Sequence, residues 1–235
     1  MEKELNDLVA KLRGASGANL ECVVLYGSAA SGHFEEKHSD LNVLCILERL
    51  DGAALEALRP VAAWWTGKGQ PAVLVFTMDE LRRSADVFAI ELLDIKASHK
   101  VLFGEDCFSG LDVPMNLHRI QLEHELRTKL IRFRQAYLAV EGKSKELLRL
   151  MTESISSFMT LFRHTLIALG EPVPPQRHAV LDRLADRLKV EVSAFHRVLE
   201  VREGKKADLD VVSVARGYLD TVTRVVDEVD RILAA

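Results

Sequence analysis

The chain predicts an α/β (α+β) unit followed by an all-α bundle, and two observations carry that reading. Compact β-branched and apolar runs over residues 21–26, 41–47 and 72–76 alternate with helical periodicities in the first half, whereas after Pro114 nearly every stretch follows a helical period. Strands with intervening helices, then helices alone, divide the chain near residues 110–116 into domains 1–113 and 114–235.

The elements follow in order. Leu5, Leu8, Val9 and Leu12 recur at helical spacing, predicting a short amphipathic helix closed near Gly14. The run 21–26 is a buried strand stopped by Gly27-Ser28, and 41–47 is a second strand after a polar loop holding His33 and His38. Asp51 caps a helix running past Leu58 and Trp65; Pro60 should kink it or start a new turn, and Gly67, Gly69 and Pro71 end it. Residues 72–76 form the third strand. Thr77 and Glu80 have capping-box spacing, Val87, Ile90, Leu93 and Ile95 place a helix over 86–98, and 100–103 reads as a short last strand. Beyond Pro114 the helical pattern breaks only around 141–142, 170–175 and 203–204.

Composition bounds the function. With 235 residues and 48% hydrophobic content the chain can bury sizeable cores. A net charge of -4 supplies no global field toward nucleic acid or an anionic membrane, so nucleic acid is disfavoured as a partner and any phosphate binding must be local. No apolar run approaches the roughly 18 residues of a membrane span. Three cysteines, Cys22, Cys45 and Cys107, are odd in number and widely spaced. They read as thiols of a reducing compartment, and with the charged, helix-patterned N-terminus they point to a cytoplasmic, unanchored protein.

The informative stretch is Val23-Val24-Leu25-Tyr26-Gly27-Ser28, eleven intervening residues, then Asp40-Leu41-Asn42 opening the next strand. A glycine directly after a buried strand lets the backbone turn sharply, and a serine in the following turn offers a hydroxyl and free N–H groups to phosphate oxygens. Residues at i and i+2 of a strand share a face, so Asp40 and Asn42 project together toward whatever Gly27 and Ser28 hold. Mg²⁺ takes one or two carboxylates plus substrate oxygens. Asp40 supplies one carboxylate, while Asn42 offers only a neutral carbonyl oxygen, poor at bridging two cations.

Over roughly the first hundred residues this pattern resembles the nucleotidyltransferase superfamily, whose hallmark is strand, Gly-Ser, short helix, then Asp-x-Asp. The pairing with a helical domain is similar to that of aminoglycoside nucleotidyltransferases. The resemblance implies a nucleotidyltransferase-like domain with a mixed sheet. It implies transfer of a nucleoside monophosphate from Mg-NTP to a hydroxyl acceptor, Gly27 and Ser28 holding the triphosphate and Asp40 and Asn42 the metal. The chain departs from the family pattern by having Asn42 at the second acidic position and no acid in 72–76, where the family adds a third. Glu91 and Asp94 are the acids that could reach the cleft from a helix. The departures leave a second reading open, a non-catalytic nucleotide-sensing or regulatory module on the same fold.

Other groups have plainer readings. His33, His38 and His99 lack companions at metal-ligand spacing and read as loop histidines. Arg127 and Arg134, seven apart on a helix whose other face carries Leu122, Leu126, Leu130 and Phe133, are either phosphate or acceptor contacts or a solvated face. The broad apolar faces over 147–169 and 211–233, with Met151, Phe158, Met159 and Phe162, serve either a core or a homodimer interface.

Overall fold

The structure is a computed structural model that describes residues 1–30, 40–140, 143–205 and 209–233. It has two compact units, Met1–Pro114 and Met115–Ala235.

The first unit is built on a four-stranded mixed sheet in the order β3-β2-β1-β4, with β1 Leu20–Tyr26, β2 Asn42–Leu47, β3 Leu74–Thr77 and β4 His99–Gly104. Strand β1 pairs antiparallel with both β2 and β4, and β2 pairs parallel with β3. Alternation along β1 and β2 sends side chains into two cores. On one face Val23, Leu25, Val43, Cys45 and Leu47 pack against α1 (Glu2–Ser16) and α2 (Gly52–Thr66), with Trp65 fully enclosed. On the other, Cys22, Val24, Leu44 and Ile46 meet α3 (Met78–Ser84), α4 (Ala89–Ala97) and the segment through Phe108 and Leu111.

Local chemistry sets the helix ends. The Asp51 side chain accepts from Ala54 N–H at 2.9 Å, opening α2. Thr77 and Glu80 form the full capping box that opens α3 directly from β3.

Helix α2 runs through Pro60, and no separate helix starts there. Pro60 and Glu56, whose carbonyl loses its bond, are both exposed, and burial of Leu58, Val61 and Trp65 holds the helix together. The third strand begins at Leu74 rather than residue 72, because pairing with β2 starts at Leu44↔Leu74. Val87 is 60% exposed in a turn, so α4 starts at Ala89 and buries Ala89, Ile90, Leu92 and Ile95 instead. A further helix break occurs at Lys189, which adopts the left-handed conformation (φ 56°) without a glycine to announce it.

The second unit is helical throughout the described residues: α5 Met115–Ala139, α6 Ser144–Ala168, α7 Arg177–Leu188, α8 Ser193–Arg202 and α9 Val211–Leu233. An aromatic cluster joins four of these helices. Phe195 of α8 stacks on Tyr218 of α9 at 4.0 Å between ring centroids and meets Phe162 of α6 at 4.9 Å, and Phe133 of α5 stacks on Tyr218 at 5.1 Å. The buried Tyr218 hydroxyl is satisfied by Ser154 at 3.0 Å. Met151, Phe158, Met159 and Phe162 are all buried, so the apolar face of α6 fills the bundle core. No helix among the described residues is long and apolar enough to cross a membrane.

Gly104 closes β4 at φ +79°, and a Cβ there would lie 1.9 Å from the Glu21 carbonyl oxygen. The register slips one residue between Val23 and Val24 opposite β4, which brings the two backbones this close. Gly104→Ala is therefore expected to destabilise the chain by more than about 1 kcal/mol, read as a lower urea midpoint.

Candidate functional site

The site predicted from the sequence lies at the end of β1. Tyr26 is the last strand residue, and residues Gly27–Ala29 form one tight turn closed by Ala30 N–H to the Gly27 carbonyl at 3.0 Å. Gly27 takes φ +78°, a conformation open to glycine at little cost. Ser28 occupies the middle of the turn.

Antiparallel register brings the second half of the motif to the same place. Asn42, the first residue of β2, pairs with Tyr26, and a Cβ on Gly27 would sit 3.3 Å from Asn42 Nδ2. Asp40 is exposed and precedes the strand by two residues. Between them Leu41 is buried, and its N–H donates to Gln70 Oε1 at 2.8 Å. Gln70 thus fixes the backbone on which both Asp40 and Asn42 are carried. No sequence signal marked Gln70, because its partner is 29 residues away.

On the opposite side of Tyr26 lies His99, so Asn42, Tyr26 and His99 run side by side across this end of the sheet. His99 turns its Nδ1 toward the Ile95 and Lys96 carbonyls at 3.0 and 3.2 Å, and its Nε2 toward Asp106 Oδ1 at 3.0 Å. Asp106 also accepts from Phe108 N–H, and that bond, with His99 beside it, holds its carboxyl below the usual range. His99 therefore joins α4 and β4 to the segment that follows them.

Helix α4 packs on the sheet face carrying Leu44 and Ile46, the face that strand alternation also assigns to Asn42. Its Glu91 is exposed and Asp94 half-buried. Strand β3, Leu-Val-Phe-Thr, carries no acid. Among the described residues no three His, Cys, Asp or Glu side chains form a metal-binding group. His33 and His38 lie outside the described residues.

Three arginines of α5 bond within the bundle. Arg127 binds Glu123 and Asp230, each at 2.9 Å, Arg134 donates to Thr223 Oγ1 at 3.2 Å, and Arg119 to the Ala168 carbonyl at 3.2 Å. A 530 Å³ pocket opens near the far end of β1 from Gly27, lined by Cys22, Met78, Arg82, Asp106 and Cys107. There the Cys107 thiol hydrogen-bonds Cys22, lowering the Cys22 thiol and raising its own, while burial pushes Cys45 up to about 12.

No family model matches the chain, and no curated protein sequence matches it either. Among solved structures it is similar to a spectinomycin adenyltransferase, AAD(9), of Enterococcus faecialis, crystallised with ATP and spectinomycin. The two share 15% identity with a TM-score of 0.57, over 97% of this chain and 99% of that one. The chain thus has a nucleotidyltransferase-like fold with a helical second unit.

Because Gly27 is both left-handed and in contact with Asn42, Gly27→Ala should cost about 1 kcal/mol or more. It should also shift the Asn42 side-chain amide resonances in a ¹H–¹⁵N correlation spectrum, where a mere turn glycine would leave them in place.

Proposed function

We propose that the chain is a nucleotidyltransferase-type protein that binds Mg-NTP at the end of β1 and transfers the nucleoside monophosphate to a hydroxyl acceptor. The observation carrying this reading is the meeting of Gly27 and Asn42 across the β1–β2 register, with Asp40 two residues ahead. The similar adenyltransferase was crystallised with ATP and spectinomycin, which supports ATP as the nucleotide and a small molecule as the acceptor class.

The residues present fit one Mg²⁺ better than two. Asp40 offers an exposed carboxylate and Asn42 an amide oxygen, and a single ion completed by phosphate oxygens and water needs no more. When bound, that ion supplies charge neutralisation on the phosphates. Gly27 and Ser28 are assigned to the triphosphate, since a glycine turn directly after a strand lets phosphates approach backbone N–H groups. Asp40 and Asn42 are the residues that would hold that ion, Asp40 through its carboxylate and Asn42 through its amide oxygen. Glu91, exposed on the helix covering the Asn42 face, is assigned to take the proton from the acceptor hydroxyl as pyrophosphate leaves.

A non-catalytic nucleotide sensor on this fold is the second reading, favoured by Asn42 and by the absence of an acid from β3. Calorimetric titration with ATP, GTP, CTP and UTP, with and without Mg²⁺, separates the cases. Mg²⁺-dependent binding of a nucleotide that Asp40→Ala abolishes is the expected result; binding unchanged in that variant removes Asp40 from the site. Turnover with a hydroxyl acceptor distinguishes enzyme from sensor. In the enzyme, Glu91→Gln is expected to lower kcat roughly 10²-fold or more while leaving the KM for nucleotide near its original value.

A further inference from the structure

The helical unit holds a row of four titratable side chains that the proposed transferase site does not use. Asp182 Oδ1 lies 2.9 Å from His196 Nε2, His196 Nδ1 lies 2.7 Å from His178 Nδ1, and His178 Nε2 lies 3.3 Å from Glu203 Oε1. Asp182 and His178 belong to α7, His196 to α8, and Glu203 follows α8 directly.

The ring geometry shows what kind of contact joins the histidines. The two imidazoles are 7° from parallel with centroids 5.0 Å apart, while their nearest nitrogens are 2.7 Å apart. Centroids separated by so much more than the nitrogens describe two rings meeting edge to edge in nearly one plane, each nitrogen on the line between the centres. The lone-pair or N–H direction of each Nδ1, which lies in its ring plane, therefore points at the other.

Proton counting then bears on the charge. A carboxylate oxygen only accepts, so an Nε2 that hydrogen-bonds Asp182 or Glu203 does so by donating. A neutral imidazole has a single N–H, and two neutral rings that both use it there would bring two lone pairs together at 2.7 Å. Three hydrogen bonds need three protons. We infer that His178 and His196 share one additional proton between their Nδ1 atoms, forming a proton-binding site that fastens α7 to α8. The resulting charge lies between two carboxylates, and each bond to it is charge-assisted.

The surroundings fit a bound cation. Glu203 stays ionised, because Lys205 beside it and then His178 hold its carboxyl below the usual range. Glu191, in the turn between the helices, also faces His196 and is held low chiefly by Ser193 N–H. Helices α6 and α9 meet α8 through Phe158, Phe162 and Tyr218 on Phe195, and Arg202 at the end of α8 reaches Ser156. The short turn containing the left-handed Lys189 also joins α7 to α8.

Linkage gives the sign on both sides. The folded pair holds one proton at Nδ1, whereas each unfolded histidine titrates alone. As pH rises far enough to strip the bridge, the clamp and its stability are lost. As pH falls, the unfolded chain takes up two protons and the folded pair one, so stability falls again until the pair is forced apart.

The test uses the full chain. Long-range ¹H–¹⁵N correlation spectra of the histidine-labelled protein near neutral pH should show both Nε2 atoms protonated and one slowly exchanging proton coupled to the two Nδ1 atoms. Two plain unprotonated Nδ1 signals at every pH from 5 to 9, roughly the span over which histidine changes charge, would overturn the inference. In melting curves over the same span, the unaltered chain should pass through a maximum and lose several degrees on either side. His178→Gln and His196→Gln should each flatten that maximum, and the double variant should lose no more than either single one. Additive losses with the maximum intact would count against a shared proton, and the spectra of the unaltered protein decide the matter even where a variant fails to fold.

Discussion

Strand β1 is the constraint on which the first unit depends. It is hydrogen-bonded on both edges, to β2 and β4, and its side chains enter separate apolar cores on its two faces. Such a strand can be neither shifted nor exposed without stranding backbone groups away from water and emptying two cores at once. The position of its last residue is correspondingly firm, and the Gly27 turn inherits that firmness. Asn42 is held by the same ladder, because it is the residue opposite Tyr26. The candidate site is thus a property of sheet register, and the loop chemistry is laid on top of it.

The second unit is organised by a different force. Its centre is a contact set of large aromatic rings drawn from α5, α6, α8 and α9, with the one buried phenol satisfied by Ser154. Around it, charged residues work at the periphery: Arg127 spans Glu123 and Asp230, and Glu171 gathers Arg183 and Arg187. Exposed pairs of this kind add modestly to stability and mainly fix which helix faces which. The histidine row between α7 and α8 belongs to this layer, and differs from it in that His178 and His196 meet each other nitrogen to nitrogen.

The chemistry open to the motif follows from what each position lacks. An amide where the family pattern has a second carboxylate cannot bridge two divalent cations, and β3 offers no replacement. Glu91 and Asp94 stand on α4, which packs on the sheet face of Leu44 and Ile46 through Ala89, Leu92 and Ile95. The motif itself offers one carboxylate, Asp40, beside the backbone shape at Gly27.

The succession of strands and helices was legible in the sequence because it rests on local periods and local caps. Alternating β-branched runs, the Asp51 cap and the Thr77–Glu80 box are each written within a few adjacent residues. The Gly27-Ser28 and Asp40-x-Asn42 motif was legible for the same reason, and the structure brings Gly27 and Asn42 together. What the sequence could not declare were contacts between residues far apart in the chain. Gln70 under Leu41, Glu21 against Gly104 and His178 against His196 depend on register and helix packing, which no local pattern encodes. The continuous α2 through Pro60 and the turn at Lys189 were settled likewise, by burial of neighbouring side chains overriding the local preferences of proline and lysine. Local propensity determined which elements form, and tertiary burial decided where each one ends and what it touches.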